Sequence, residues 1–327
     1  MNAIPTTMRA AVRSTYGSPE RIEIIELPVP EPAEDELLVR VRATTVNRTD
    51  CANLTGKPLV MHLVLGIRTP RSSRIGTDFA GEVVAVGKSV TSYRIGDRVC
   101  GFRDTGLGSH AEFLTVKADD RVMTVPEGLP FAEAAAGLEG AHYAYAMLRR
   151  AEVPPGARVM INGATGAIGS ALLQFAVARG AQVTVTAREG DHATVRGLGA
   201  VEEIDYRRTD FTRSGRQFDY VFDAVGKSTF GACRSLLHDR GVYVSSEAGP
   251  YLQNVGYALL TPLRRGRRVQ FPVPFSSKES FPFIQRHLAE GSFRPLLDGQ
   301  AFGLDGLRDA YRYVLTGQKR GNVILRP

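Results

Sequence analysis

The run Gly163-Ala164-Thr165-Gly166-Ala167-Ile168-Gly169 constrains this chain more than any other feature. Before it comes the apolar triplet Val159-Met160-Ile161, and after it a stretch, 170–178, in which Leu172, Phe175 and Ala176 recur at helical spacing. The triplet predicts a short strand buried on both faces, as parallel sheets require. With the next apolar triplet at 183–185, strand, helix and strand fit within about 30 residues, the length of one βαβ unit. Glycines in such a turn let backbone N–H groups approach a pyrophosphate, whose charge then sits at the helix N-terminus. A plainer alternative is a strand-to-helix turn that only needs small residues. The pattern continues, however, with strands near 203–204, 220–222, 242–245 and 269–273 and helices at 193–198, 229–237 and 280–290. This predicts a doubly wound α/β fold and favours the nucleotide reading.

The first third follows a different period. Leu37, Val39 and Val41 alternate with Leu38, Arg40 and Arg42, and short segments at 8–12, 21–26, 79–86, 98–102 and 110–116 continue the theme between turns at Gly17-Ser18-Pro19 and 28–32. Alternation with frequent turns predicts an antiparallel, barrel-like domain. At 327 residues the chain has room for about two domains. We place the barrel at 1–125, completed by 276–327, and the parallel sheet at 126–275, opening with a helical stretch at 131–150.

Hydrophobic residues make up 43% and charged residues 23%, the balance of a globular protein. The opening MNAIPTTMRA has no apolar signal core, and the longest apolar run, 59–67, is interrupted by His62 and Gly66. No membrane span is expected, and a cytoplasmic setting is. Three scattered cysteines, Cys51, Cys100 and Cys233, suggest neither a disulfide framework nor a zinc knuckle. Lys+Arg exceed Asp+Glu by 41 to 34, and all but six of the 41 are arginine. Arg264, Arg265, Arg267 and Arg268 form one basic knot, and Arg207, Arg208, Arg213 and Arg216 another. Nucleic acid would suit them, but interleaved aromatic residues are missing, so an arginine-rich solvated surface is favoured. An anionic cofactor also suits the charge.

Beyond these patterns, Arg9 to Val12, "GTDFAGEVVAVGKSVTSYRIGDRVCGF" from Gly76, "INGATGAIGSALLQFAVARGAQV" from Ile161, "FDYVFDAVG" from Phe218 and "GNVIL" from Gly321 occur in an order and spacing that span the chain. Together they resemble the medium-chain dehydrogenase/reductase superfamily, and within it the zinc-independent quinone oxidoreductases that include zeta-crystallin. The resemblance implies a split catalytic domain on a GroES-like barrel, a Rossmann domain and an active site in the cleft between them. Zinc-dependent members carry Cys and His ligands in segments that align with "VNRTD" and "GTDFAG", where this chain has Asn47 and Thr77; a third ligand position falls near Glu139. An amide, a hydroxyl and one carboxylate make a poor zinc site. The implied activity is zinc-free, NADPH-dependent reduction of a quinone or an α,β-unsaturated carbonyl, as in enoyl reductases. Two alternatives stand beside it: a metal-free NADP-dependent alcohol dehydrogenase, and a nucleotide-bound RNA-binding or structural protein.

The resemblance assigns Asn47 to orientation near the nicotinamide, although an Asn after a strand also caps turns. Asp50, Tyr143 and His142 are candidate proton donors by neighbourhood, His142 more readily a packed histidine, and water can also supply the proton. The apolar segment 59–74 reads as a lid or as an Ω-like loop. For the cofactor, an acid about 20 residues past the turn would hold a ribose hydroxyl. That position falls at Ala187 or Arg188, with Glu189 close by. A guanidinium there suits a 2′-phosphate, with Thr186 and Tyr206 beside it; Val225, Ser245 and Asn322 complete the candidate cofactor contacts. Relatives also pair a strand like 269–273, "VQFPV", with its twofold mate, which implies a homodimer, although Pro272 and Pro274 limit any such ladder.

Overall fold

The computed structural model describes residues 3–119, 121–261, 266–272 and 277–327. It divides into two compact units, one of residues 1–138, 281–289 and 297–327 and the other of 139–280 and 290–296.

In the first unit β1 (Thr7–Val12) and β2 (Glu23–Pro28) form an antiparallel ribbon, and β3 (Glu36–Val46) is the strand on which the rest is built. After α1 (Arg48–Thr55) and the single turn α2 (His62–Leu65) come β4 (Asp78–Val86), β5 (Arg98–Phe102), β6 (Phe113–Lys117) and β7 (Val122–Thr124). Leu37, Val39 and Val41 point into a core with Phe79, Val99 and Leu114, while Leu38 packs on the other side with Met8, Ala10 and Phe113. Both faces of β3 are therefore covered. The segment 59–74 is tied to this unit by Tyr16, whose hydroxyl donates to the Gly66 carbonyl (2.8 Å) and whose ring stacks on His62, while Leu59, Leu63 and Ile67 stay exposed.

The helical stretch expected at 131–150 is two helices, α3 (Phe131–Ala136) and α4 (Glu139–Ala151), and the division between units falls at Leu138–Glu139 instead of 125–126. The reason is packing. Helix α3 lies on β3 and β4, and the Arg98 guanidinium covers the Phe131 ring at 4.4 Å.

The second unit runs from α4 through β8 (Arg158–Asn162), α5 (Ala167–Ala178), β9 (Gln182–Ala187), α6 (His192–Gly197), β10 (Glu202–Asp205), β11 (Phe218–Asp223), α7 (Phe230–Cys233), β12 (Leu237–Ser245), α8 (Gln253–Leu260) and β13 (Arg268–Gln270). Its six strands are all parallel, in the order β10-β9-β8-β11-β12-β13. Strand order therefore reverses between β8 and β11, at the first strand of the unit. Helix α7 is shorter than expected because Leu237 already belongs to β12, paired with Phe218. Strand β13 stops at Gln270, ahead of Pro272, which has no N–H to give a ladder. Val273, Pro274 and the expected domain boundary at 275–276 lie outside the described residues, as do Arg264 and Arg265.

Helix α9 (Ser277–Ala289), β14 (Leu297–Gly303), α10 (Leu307–Leu315) and β15 (Asn322–Arg326) complete the chain. Strand β15 pairs antiparallel with residues 44–46 of β3, while β6 takes residues 36–40 of the same strand. Eleven residues are long enough to hold both. Helix α10 buries Leu307, Ala310, Tyr311 and Val314 at helical spacing against Val46, Leu54 and Val323. Among the described residues no helix is long and apolar enough to cross a membrane.

Candidate active site

Two clusters of functional residues form, one in each unit. In the parallel unit, Gly163 follows β8 with φ +89°, and Gly166 is the extended residue that opens α5. A Cβ on Gly169 would lie 2.1 Å from the Gly163 carbonyl oxygen, and one on Gly163 would meet Val225 at 2.4 Å. Those two glycines are required by the protein's own packing. Gly166 is different: a Cβ there would have only the Gly163 oxygen nearby, at 3.6 Å. What its missing side chain spares is room outside, beside the first N–H groups of α5, which have no intrahelical partner. Ala164 is buried, and Thr165, Ala167 and Ile168 are half-buried around this concavity.

The floor of the turn is a polar clasp. Asn162, the last residue of β8, donates to the Asp223 carboxylate at the end of β11 (3.1 Å) and accepts from the Thr186 hydroxyl on β9 (2.8 Å), and that hydroxyl accepts the Gly163 N–H (2.9 Å). Asp223 also accepts the N–H groups of Val225, Gly226 and Ser228. Thr186, expected beside a phosphate, is buried with its hydroxyl bonded inside the protein. Arg188 stands one residue past β9 and Tyr206 one past β10. The register Ala187↔Asp205 brings both out at the same edge of the sheet. Tyr206 is half exposed, and Arg188 Nε reaches Asp191 (3.0 Å). Ser245 is fully buried in register with Asp223, its hydroxyl accepting the Glu247 N–H (3.2 Å).

The second cluster lies under the end of β3 in the barrel unit. Asn47 opens α1, and its N–H donates to Asp50 (2.9 Å), the acid three residues on. Thr77 donates to the other Asp50 oxygen (3.0 Å). The Asn47 amide donates to the Thr45 hydroxyl (2.7 Å) and to Asn322 on β15 (3.1 Å), and accepts from Lys319 Nζ (3.1 Å). Asn47, expected to orient a ligand, is buried here with its amide bonded within the unit. Asn322, expected among the cofactor contacts, belongs to this cluster in the barrel unit. Thr45 passes the network to Asp78, donating through both N–H (2.7 Å) and hydroxyl, while its carbonyl meets His110 Nε2 (2.9 Å).

Two carboxyl groups are consequently buried together. Burial pushes Asp50 up to about 7, against the hydrogen bonds of Asn47 and Thr77 and the charge of Lys319. Asp78 is likewise raised to about 7, by burial and then by the neighbouring Asp50 charge. Burial holds His110 neutral, down to about 4. Asp50 therefore sits where a carboxyl can hold or release a proton near neutral pH.

Comparison with known proteins agrees with this architecture. Residues 33–127 match the alcohol dehydrogenase GroES-like domain, and residues 198–325 match the zinc-binding dehydrogenase family. The chain is 32% identical over 333 residues to a quinone oxidoreductase of Pseudomonas aeruginosa, covering 96% of this chain and 98% of the relative. The chain belongs to the medium-chain dehydrogenase/reductase superfamily, in its quinone oxidoreductase branch. It is also 30% identical over 336 residues to the 2-methylene-furan-3-one reductase of Solanum lycopersicum, covering 99% of this chain and 80% of the relative. The quinone oxidoreductase structure from Coxiella burnetii superposes with a TM-score of 0.85 at 26% identity, over 98% of this chain and 99% of that one. The barrel unit is thus the GroES-like domain of the superfamily and the parallel unit its Rossmann-like domain.

Among the remaining candidates, Tyr143 is half-buried on α4 in the Rossmann unit, its ring edge-on to His142. His142 is a packed histidine bonded to Ser280 (2.6 Å). Glu139 is buried at the start of α4. Sequence reasoning missed Lys319, Asp78 and Asp223. The acids stand inside the quoted segments "GTDFAG" and "FDYVFDAVG", and Lys319, one of only six lysines, lies three residues before β15.

A raised folded-state pKa means that the stability contributed by these acids is whole below their unfolded value, about 4, and is lost as pH climbs through about 7. Asp78→Asn removes one charge site from that balance. Its unfolding free energy relative to wild type is expected to rise by more than about 1 kcal/mol between pH 5 and pH 8. Urea denaturation at both pH values checks this, and a pH-independent difference would show that Asp78 ionises normally.

Proposed function

We propose that this protein is a zinc-independent reductase that uses NADPH to reduce a quinone or an α,β-unsaturated carbonyl. The observation that carries the reading is what surrounds Asp50. The two positions that align with metal ligands, Asn47 and Thr77, both donate hydrogen bonds to its carboxylate. Neither offers a thiolate or imidazole, and among the described residues no three His, Cys, Asp or Glu side chains are placed to hold a metal. The residues present do not fit zinc, and no step runs through it. The printed names of the relatives, a quinone oxidoreductase and a furanone reductase, support acceptors whose charge delocalises without a Lewis acid.

The glycine turn fits a dinucleotide. Gly166 leaves room for a pyrophosphate at the α5 N-terminus, and Arg188 and Tyr206 emerge together where a 2′-phosphate would be read. Bound NADPH supplies the hydride from its nicotinamide ring. Asp50 then holds the proton that the reduced acceptor needs, and Asn47, Thr77 and Lys319 hold Asp50 in place. Tyr143 is the other candidate donor.

The test is anaerobic NADPH consumption against quinones, enones, saturated aldehydes and secondary alcohols, with and without chelator. Quinones or enones are expected to turn over, unaffected by chelation; alcohol oxidation or activity lost with a bound metal would overturn the proposal. Because Asp50 is protonated below about 7, kcat/KM should fall as pH rises through that value, and Asp50→Asn should lower it about 100-fold at pH 6 and abolish the limb. A variant that keeps the same profile would move the donor elsewhere.

Arg188→Ala is expected to weaken NADPH binding about tenfold while hardly touching NADH. Equal loss for both cofactors would refute the phosphate role. We also propose a homodimer through the open edge of β13, the last strand in the sheet order; a single-chain mass in light scattering at micromolar concentration would exclude it. The arginines at 207–216 weigh against an RNA-binding reading, since Arg208, Arg213 and Arg216 are ion-paired with Glu189, Asp210 and Glu202. Salt-sensitive retention of RNA with no turnover of any acceptor would reverse that judgement.

A further inference from the structure

We propose that the cavity beside Asp50 recognises an oxyanion, so that the substrate is a conjugated carbonyl compound carrying a carboxylate or phosphate on an apolar body. This rests on the reductase reading and narrows it. The cavity lies wholly within the GroES-like unit and has a volume of about 480 Å³. Four arginines are among the residues that line it, Arg13, Arg71, Arg74 and Arg103, with Asp50 and Glu36 as its acids. Asp50 is raised to about 7 and carries only part of its charge at neutral pH, so the lining is net positive.

These arginines differ from the rest of the surface. Many arginines elsewhere in the chain are ion-paired, among them Arg42, Arg196, Arg216 and Arg312. Among the described residues none of the four in the cavity has an acidic partner within ion-pair distance. Arg13 is 6% exposed; its Nη1 donates to the carbonyls of Asn53 and Leu54, it covers the Tyr16 ring, and its Nε is buried without a hydrogen-bond partner. A buried guanidinium with no counter-ion is costly, and an entering oxyanion offsets that cost with charge-assisted hydrogen bonds. Val64, Leu65 and Leu107 supply apolar wall for the substrate's body. The same cavity reaches Asp50, so an acceptor anchored at the arginines is held near the carboxyl that supplies its proton.

Three enones of equal length, ending in a methyl, a carboxylate or a phosphate group, test the idea at low ionic strength. Wild type should show at least a tenfold higher kcat/KM for one of the anionic enones than for the methyl enone, and which anion is preferred identifies the source of the charge. Added salt should shrink that ratio. Arg71→Gln with Arg74→Gln, two side chains with no other bonding role among the described residues, should reduce the ratio about tenfold. Arg13→Lys is a second variant that keeps the charge and loses the fork, and should reduce the ratio as well. Equal or better use of the methyl enone, or a preference that survives the double substitution, would overturn the inference while leaving the reductase reading intact. Failure to reduce any enone or quinone would instead remove the reading on which it rests.

Discussion

The Asn162 side chain is the constraint around which the Rossmann unit is arranged. It joins β8 to β9 through Thr186 and to β11 through Asp223, at the carboxyl ends of all three strands. A sheet that reverses its strand order there must open a crevice, since the connections leave in opposite directions. Without a polar clasp the crevice would expose strand ends and a glycine turn with little to hold its shape. Asn162 and Asp223 together bind the turn after β8 and the turn after β11, so the concavity is set before any ligand arrives. Preorganisation of this kind removes part of the ordering cost of binding.

The barrel unit solves a related problem by a different means. Its polar residues gather where β3, β4, α1 and β15 meet, and Thr45, Asn47, Asp50, Thr77 and Asp78 are buried there. Charged carboxylates there would be expensive, and two of them more so. The structure answers with donors: Thr45, Asn47 and Thr77 satisfy Asp50 and Asp78, and Lys319 supplies a positive charge. What remains is a proton held near neutral pH and not a pair of anions. A superfamily member without thiolate or imidazole at the two aligning positions therefore still has a titratable centre at the same place.

Much of this was legible in the sequence because it depends on local period and spacing. The glycine turn, its flanking strand and helix, and the alternation along β3 are properties of consecutive residues. The break at Gly137–Leu138 was not, because 131–150 has no proline to mark it; α3 ends there since it packs on the barrel strands. Helix α8 was missed as well: its apolar residues Tyr257, Leu259 and Leu260 stay exposed, so it does not follow the rule of a buried apolar face. Side-chain roles were harder still. The internal partners of Asn47 and Thr186 could not be read ahead, because a sequence shows that a polar group is present and not which neighbour meets it. Lys319 lies 272 residues from Asn47, and no local pattern links them.

The same distinction applies to charge. A net +7 counts every arginine equally, yet the protein does not use them equally. Where an arginine faces an acid on the surface, the pair is screened and contributes little, so its charge says nothing about a partner. A buried arginine without an acid, as Arg13 is, keeps its field, because low-dielectric surroundings do not dissipate it. Sequence counting pointed to the densest clusters, at 207–216 and 264–268, and the members of the first that carry acids beside them are neutralised. Arg13, Arg71, Arg74 and Arg103 are scattered over 91 positions and form no motif, but the fold gathers them around one cavity. At this cavity, selection by charge thus depends on arginines that lack an acid, a property of the folded chain.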